Sequence, residues 1–220
     1  RTYMAQVEGS PIVKIKGVVE IDLAGGSIEG VAAHFANPTT ERLVHQLGKT
    51  DPLFIDGALL SALPPGDASC GKSQIEWAAF RAPAPLSPRD FCWLSHQRFL
   101  RTPEGKRMFV SLVESVERVD LCPENEGYVR GEIFSTGYVF TERGSGDWEL
   151  SYVVQIDPKG IVPKWVVNLV ASEQAGVASN MRRLIAERQR AEERLREGEG
   201  GAEWQECEVH EVLVGGSGWG

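Results

Sequence analysis

The sequence contains few of the side chains that build metal sites or disulfide frameworks. Its 220 residues include four cysteines and four histidines, and no two cysteines stand at Cys-x-x-Cys spacing. No histidine lies near a cysteine at the spacing of metal ligands. We therefore predict free thiols in a reducing compartment, no metal and no cofactor.

Long apolar runs and an excess of basic residues are also missing. No apolar run approaches the ~20 residues that a membrane-spanning helix needs. Acidic residues number 31 and basic residues 23, so the net charge is −8. This balance argues against nonspecific binding to nucleic acid, which requires a basic surface. No secretory signal is recognised, and we expect a cytoplasmic protein.

Catalytic motifs are absent as well. None of the histidines lies in a Gly-x-Ser-x-Gly or His-Glu-x-x-His setting, and neither a P-loop nor a dinucleotide-binding fingerprint occurs. The scattered histidines are His34, His45, His96 and His210. The sequence therefore offers no evidence for catalysis, and we predict a protein that is not an enzyme.

The chain does contain many short β-branched segments separated by glycine and proline. These segments predict strands joined by short connections, which is typical of an antiparallel meander. Strands are predicted at residues 1–7, 12–23, 73–81, 89–99, 108–119, 128–134, 137–142 and 148–156. Helices are predicted at 27–36 and from Thr39 or Thr40 to Gly48, whereas residues 51–63 are ambiguous. The fold class is α+β.

A long amphipathic helix is predicted near the carboxyl end of the chain. It opens at Pro163, because proline is favoured at the first helical position, and it extends to about Arg190. Its apolar residues recur at three-, four- and seven-residue intervals; they include Val166, Leu169, Val170, Val177, Met181, Leu184 and Ile185. We predict one domain over residues 1–190, followed by a charged helix end and a glycine-rich flexible tail over 191–220.

Three motifs along the chain resemble the signature of START domains, the steroidogenic-acute-regulatory-related lipid-transfer family. They occur in the family's order and at its spacings. The resemblance covers about residues 12–190, and the first helix of the family is missing, so we expect a piece of a longer protein. The motifs are Pro83-x-Pro85-x-Ser87-x-Arg89-Asp90-Phe91, then Ser115-Val116 with Pro123, Gly127 and Val129-Arg130-Gly-Glu132, and Asp157-Pro-Lys-Gly160-Ile-Val-Pro163-Lys-Trp165-Val-Val-Asn168.

The resemblance implies a helix-grip fold, in which a curved antiparallel sheet wraps around the long C-terminal helix. A tunnel between them is expected to hold one lipid, and the helix and the loop over residues 99–107 are expected to act as a lid. The predicted gate residues are Phe99, Leu100, Pro163 and Trp165. The predicted cavity residues are Glu76, Trp93, Ser95, Arg130, Tyr152, Val166, Leu169, Val170, Val177 and Met181.

The residues that read the lipid headgroup in two branches of the family are only partly present. The acidic residue of the sterol-carrying branch is kept as Glu76, but its arginine partner is replaced by Ser95. Because a buried carboxylate without a partner is costly, we expect Glu76 to pair with Arg130 or Arg98, to be protonated, or to reach water. The phosphatidylcholine branch's Trp-Asp is missing from residues 48–56, and Ala78 stands where its cage tryptophan would align. The lipid, a sterol or a glycerophospholipid, stays open.

Several of these residues also have purely structural interpretations. Arg89 and Asp90 would tie the proline-rich turn to neighbouring backbone, and Arg130 would brace the sheet rather than bind a headgroup. Tryptophans on strands, Trp93 and Trp148, are more often core residues than ligand-stacking ones.

Three functions follow from the resemblance. The first is lipid transfer between membranes, with transient membrane contact. The second is a lipid-sensing or interaction module of a larger protein that does not transfer lipid. The third is an enzyme of the related polyketide-cyclase type, which would require an acid–base cluster in the cavity; only Glu76, Ser95 and Tyr152 are candidates for one.

Overall fold

A single curved antiparallel sheet forms most of the protein. The structure, a computed structural model, describes residues 1–6, 13–23, 27–35, 37–64, 71–144, 146–160, 162–163, 176–187, 189–191 and 193–194. The predicted tail beyond residue 194 therefore lies outside the described residues.

Nine strands build the main sheet, and two short ones pair beside it. The spatial order is β1-β2-β10-β9-β6-β5-β4-β3, with β7 pairing in parallel with β5, and β8 pairs with β11. The strands are β1 (Thr2–Gln6), β2 (Val13–Asp22), β3 (Phe54–Ala62), β4 (Lys72–Phe80), β5 (Arg89–Arg101), β6 (Arg107–Ser115), β7 (Val129–Arg130), β8 (Glu132–Ile133), β9 (Thr136–Glu142), β10 (Asp147–Val154) and β11 (Ile156–Asp157).

The alternation along β10 explains which face of the sheet is buried. Side chains of a strand point to opposite faces in turn, and every second residue from Trp148 to Val154 is a large apolar one. Trp148, Leu150, Tyr152 and Val154 are all buried. This face carries the core of the domain.

Two helices connect β2 to β3, and their capping residues explain where they begin. Helix α1 spans Ile28–Phe35, and the Ser27 hydroxyl accepts a hydrogen bond from the Gly30 N–H at 3.1 Å. Helix α2 spans Thr40–Thr50, and the Thr39 hydroxyl accepts from the Arg42 N–H at 3.3 Å. The predicted end of α2 at Gly48 is wrong, because the helix continues until the Asp51 N–H donates to the Leu47 carbonyl at 2.8 Å.

The C-terminal helix packs against the buried face of the sheet. Helix α3 is described over residues 176–187. Met181 and Ile185 lie in one cluster with α1 and with strands β2, β6, β9 and β10, and Val177 and Ala178 pack with Ile15 and other residues of β2 and β10. This arrangement confirms the predicted helix-grip fold.

Three predicted elements differ from the structure in kind or by more than about two residues at an end. The ambiguous residues 51–63 form strand β3. The strand predicted over 128–134 is divided into β7, which pairs with β5, and β8, which pairs with β11. Gly131 lies between them, where a Cβ would be 2.2 Å from the Phe91 ring. The strand predicted over 108–119 ends at Ser115, and a turn follows in which the Leu121 and Cys122 N–H groups donate to the Arg118 carbonyl.

Candidate functional site

A pocket of about 410 Å³ lies between the sheet and the helices. The described residues that line it come from α1, α2 and α3 and from strands in both halves of the sheet, from β2 at one end to β4 at the other. Most lining side chains are apolar, including Phe35, Leu43, Phe91, Val113 and Val177. Pockets that bind small apolar molecules share this character, with a few polar groups that orient the ligand.

Glu76 is the buried acid of the pocket, and neutral groups satisfy it. Its side chain lies on β4 opposite Trp93 of β5. The Trp93 indole N–H donates to Glu76 Oε2 at 2.7 Å, and the Gln74 amide donates to Oε1. Burial raises the pKa of Glu76, while hydrogen bonds from Gln74, Trp93 and Asn37 oppose this shift.

Arg130 and Arg98 were the candidate cationic partners of Glu76, one of three alternatives for this carboxyl group. Arg130 donates to both oxygens of Asp90, at 3.0 Å to Oδ1 and 2.9 Å to Oδ2, and it also contacts the backbone carbonyls of Cys122 and Pro123. Arg98 is exposed. The prediction that either arginine pairs with Glu76 is therefore wrong. Arg130 is not among the residues that line the pocket, and its interpretation as a sheet-bracing residue is the one that its contacts support.

Two stacked tyrosines form part of the pocket wall. The rings of Tyr138 and Tyr152 lie 4.8 Å apart at an interplanar angle of 29°. Burial raises the pKa of both hydroxyls well above the usual range, so both stay protonated. A protonated, buried phenol can orient a ligand by a hydrogen bond but does not supply a negative charge.

Other predicted cavity residues differ in where the structure places them. Ser95 and Val177 line the pocket together with Glu76, Trp93 and Tyr152. Met181 is fully buried within the hydrophobic cluster between α1 and the sheet. Met181 is not among the described residues that line the pocket, so its role in the cavity stays a prediction. Val166, Leu169, Val170 and the gate residue Trp165 lie outside the described residues.

The remaining gate residues are exposed. Phe99 and Leu100 lie near the end of β5, with 51% and 37% of their surfaces exposed. The Phe99 ring lies 5.2 Å from that of Phe109, which itself packs in the cluster containing Met181. Pro163 is exposed. The end of the β5–β6 hairpin is therefore linked through Phe109 to the helix that the sheet grips.

Arg89 connects two of the sequence motifs. Its guanidinium donates to the carbonyl of Ser87 and to those of Pro158 and Lys159, at 3.1 Å and 3.4 Å. These contacts confirm that Arg89 ties the proline-rich turn to neighbouring backbone. Asp90 instead accepts hydrogen bonds from Arg130 and from the Trp77 indole, the latter at 2.8 Å.

Sequence reasoning missed the polar residues that the helices bring to the pocket. Asn37, Gln46 and Thr50 all line it and are buried. A signal for two of them exists in α2, because Gln46 and Thr50 fall on the same face as Leu43 and Leu47 at helical spacing. A polar residue on the apolar face of a helix indicates either a buried hydrogen bond or a ligand contact.

Within the described ranges, no group of three or more His, Cys, Asp or Glu side chains could hold a metal ion. No helix in that part of the chain is long and apolar enough to cross a membrane. Cys92 and Cys122 are buried free thiols.

Comparisons with known proteins point to one family. The START domain family model matches residues 35–192. START domain-containing protein 10 of Mus musculus is 31% identical over 96 residues, and the human protein of that name matches equally. That match covers 44% of this chain and 31% of the length of each relative.

Solved structures show the same fold. Human STARD10 superposes with a TM-score of 0.64 at 21% identity, covering 90% of this chain and 73% of that one. Human StAR-related lipid transfer protein 5 gives a TM-score of 0.58 at 18% identity, covering 84% of this chain and 81% of the other.

Proposed function

The chain belongs to the START domain family, and on that basis we propose that it binds one lipid in the 410 Å³ pocket and transfers it between membranes. The observation that carries this proposal is the character of the pocket wall. Apolar side chains from the sheet and from three helices surround a space that also contains a few buried polar groups. Enclosing an apolar chain there would remove its surface from water, which contributes about 25 cal/mol per Å². A relative with the same fold carries lipid transfer in its name.

No catalytic step is part of the proposal. Members of the family are lipid-binding proteins, and the Glu76 carboxylate already accepts hydrogen bonds on both oxygens from Gln74 and Trp93. Cytoplasmic location and brief contact with membrane surfaces belong to the same proposal.

Lipid recovery and vesicle transfer test the proposal in two stages. The protein is incubated with donor vesicles, separated from them and analysed by native mass spectrometry, where we expect one lipid per chain. Labelled lipid is then followed from donor to acceptor vesicles. Recovery without transfer would favour the lipid-sensing module, and no recovered lipid from any vesicle would contradict lipid binding itself.

A second prediction concerns the lid. We propose that Phe99, Leu100, Pro163 and Trp165 belong to segments that move apart when lipid enters. A flexible cross-linker between cysteines introduced at Lys106 and Arg183, two exposed positions on the hairpin loop and α3, should slow transfer by about tenfold or more if opening is required. Both cysteines are introduced into a protein in which the native Cys70 and Cys207 are replaced by serine. Single-cysteine proteins treated with the same reagent are the controls, and unchanged transfer after complete cross-linking would rule out this lid.

A further inference from the structure

Two buried oxygen atoms at the pocket lack hydrogen-bond partners. They are Asn37 Oδ1 and Gln46 Oε1, and among the described residues no other buried side-chain nitrogen or oxygen lacks a partner. Their residues are only 6% and 7% exposed. Both residues line the pocket that also contains Glu76. The part of the pocket lined by Asn37, Gln46 and Glu76, here called its polar end, therefore presents two buried acceptor oxygens that a donor on the ligand would satisfy.

The chemistry of Glu76 explains why the free atom of Asn37 is its oxygen. The Asn37 side chain lowers the pKa of the Glu76 carboxyl group, which is the direction expected when an amide N–H is turned toward a carboxylate. With its N–H group on the side of Glu76, the Asn37 amide leaves its oxygen, which is buried and without a partner, for an occupant. An unsatisfied buried acceptor is costly, so an occupant that donates a hydrogen bond is favoured over one that cannot.

The charges around the pocket disfavour a phosphate at this end. A phosphate has acceptor oxygens and a negative charge, and it would meet the Glu76 carboxyl group and two further acceptors. The arginines among the described lining residues are Arg81 and Arg89. Arg81 is exposed, and Arg89 already donates to three backbone carbonyls. Neither cation is bonded to the Glu76 end, where a phosphate would need compensation.

We propose that the lipid is uncharged and has a free hydroxyl group, which donates a hydrogen bond to Asn37 Oδ1 or Gln46 Oε1. This inference rests on the proposed function, because it names the ligand class of the same pocket. A hydroxyl group on a sterol and one on a diacylglycerol offer the same donor. The shared feature is the O–H group at one end of an otherwise apolar molecule.

The test compares lipids that differ only in that donor. All vesicles consist mainly of phosphatidylcholine. In the first arm they contain a minor fraction of either cholesterol or cholesterol methyl ether. In the second arm they contain a minor fraction of either dioleoylglycerol or its acetate ester. A further vesicle contains dioleoylphosphatidic acid. Occupancy of the protein is measured by native mass spectrometry. We expect the free-hydroxyl lipid of at least one pair to load about five- to tenfold better than its blocked partner, and better than either phospholipid. The arm that shows the preference identifies the lipid backbone.

A matched pair of variants then locates the acceptor. Gln46→Met removes the amide but keeps an unbranched side chain of similar length. A fall in the preference for the free hydroxyl by about threefold or more assigns the acceptor to Gln46, and an unchanged preference assigns it to Asn37. His45→Met changes the neighbouring, exposed residue of α2 and should leave the preference unchanged. The thermal midpoints of both variants are measured to establish that they fold. The comparison of each lipid with its blocked partner uses the unmodified protein, so it tests the proposal even if a variant does not fold.

The outcomes separate this inference from the proposed function. Equal loading of each lipid and its blocked partner would overturn the hydroxyl donor and would mean that water satisfies the two oxygens. Preferential loading of a phospholipid would overturn the neutral ligand, while lipid binding itself would stand. If none of the lipids loads, both this inference and the proposed function fail.

Discussion

Replacing Arg130 with methionine is expected to lower the free energy of unfolding by about 3–5 kcal/mol, because it leaves a buried carboxylate without its cation. The Asp90 side chain is only 2% exposed, whereas that of Arg130 is 23% exposed. Both oxygens of Asp90 accept from the guanidinium. The Trp77 indole remains as a donor after the substitution, but it carries no charge. Urea denaturation followed by tryptophan fluorescence measures the change.

A nearby surface pair supplies the control for this prediction. Arg118 and Asp120 form an ion pair at 2.7 Å, with side chains 38% and 63% exposed. Because water solvates both partners when the contact is lost, Arg118→Met should change the midpoint of unfolding far less than Arg130→Met. Equal effects of the two substitutions would show that burial of Asp90 does not govern the contribution of Arg130. Transfer of lipid is expected to survive in both folded variants, since neither arginine lines the pocket.

The same ion pair shows what sequence can and cannot predict here. The motifs identified the segments that contain Asp90 and Arg130, and a sheet-bracing role for Arg130 was expected because most buried charges are paired for structure. The partner of Arg130 could not be predicted, because β7 is two residues long and pairs in parallel with β5. This pairing places Arg130 directly beside Asp90. A sequence that predicts an antiparallel meander gives no reason to expect one parallel contact.

Strands were predictable where the pattern of apolar residues has a period of two. The buried residues of β10 follow that period, so its position and buried face could be predicted from sequence. Strand β3 was ambiguous because its pairing with β4 shifts register between Phe54 and Asp56 and again between Leu59 and Ser61. Each irregularity changes which residues face the core, so the strand lacks a clean alternation.

The site was predicted in part for a related reason. The resemblance identified Glu76, and its position in the buried face follows once β4 and β5 are aligned with Glu76 opposite Trp93. That register makes Trp93 and Gln74 its neighbours on one face. The candidate partners considered from sequence were cations, so these two neutral residues were not named. Gln74, Trp93 and Asn37 show that neutral side chains can stabilise a buried carboxylate in place of a cation. Asn37, which follows α1, joins the pocket only through tertiary packing.

Filling the pocket is expected to abolish lipid binding. Ser111 is buried, lines the pocket and lies in the middle of β6. Ser111→Trp would place two aromatic rings in the space that the lipid needs, and the displaced lipid would lose the burial of its apolar surface. We expect the lipid recovered per chain to fall by at least about tenfold, equivalent to ~1.4 kcal/mol of binding free energy. Mass spectrometry of protein separated from donor vesicles measures the occupancy.

The adjacent residue of the same strand provides the matched control. Leu112 is 39% exposed, and because successive side chains of a strand point to opposite faces, its side chain lies on the outer face of the sheet. Leu112→Trp adds a tryptophan to the same strand without entering the pocket, so lipid recovery should equal that of the unmodified protein. If Ser111→Trp folds with a similar thermal midpoint and still recovers lipid, the lipid binds outside this pocket. If Leu112→Trp loses lipid as well, the effect arises from distortion of β6, and occupancy of the pocket is not what the substitution measures.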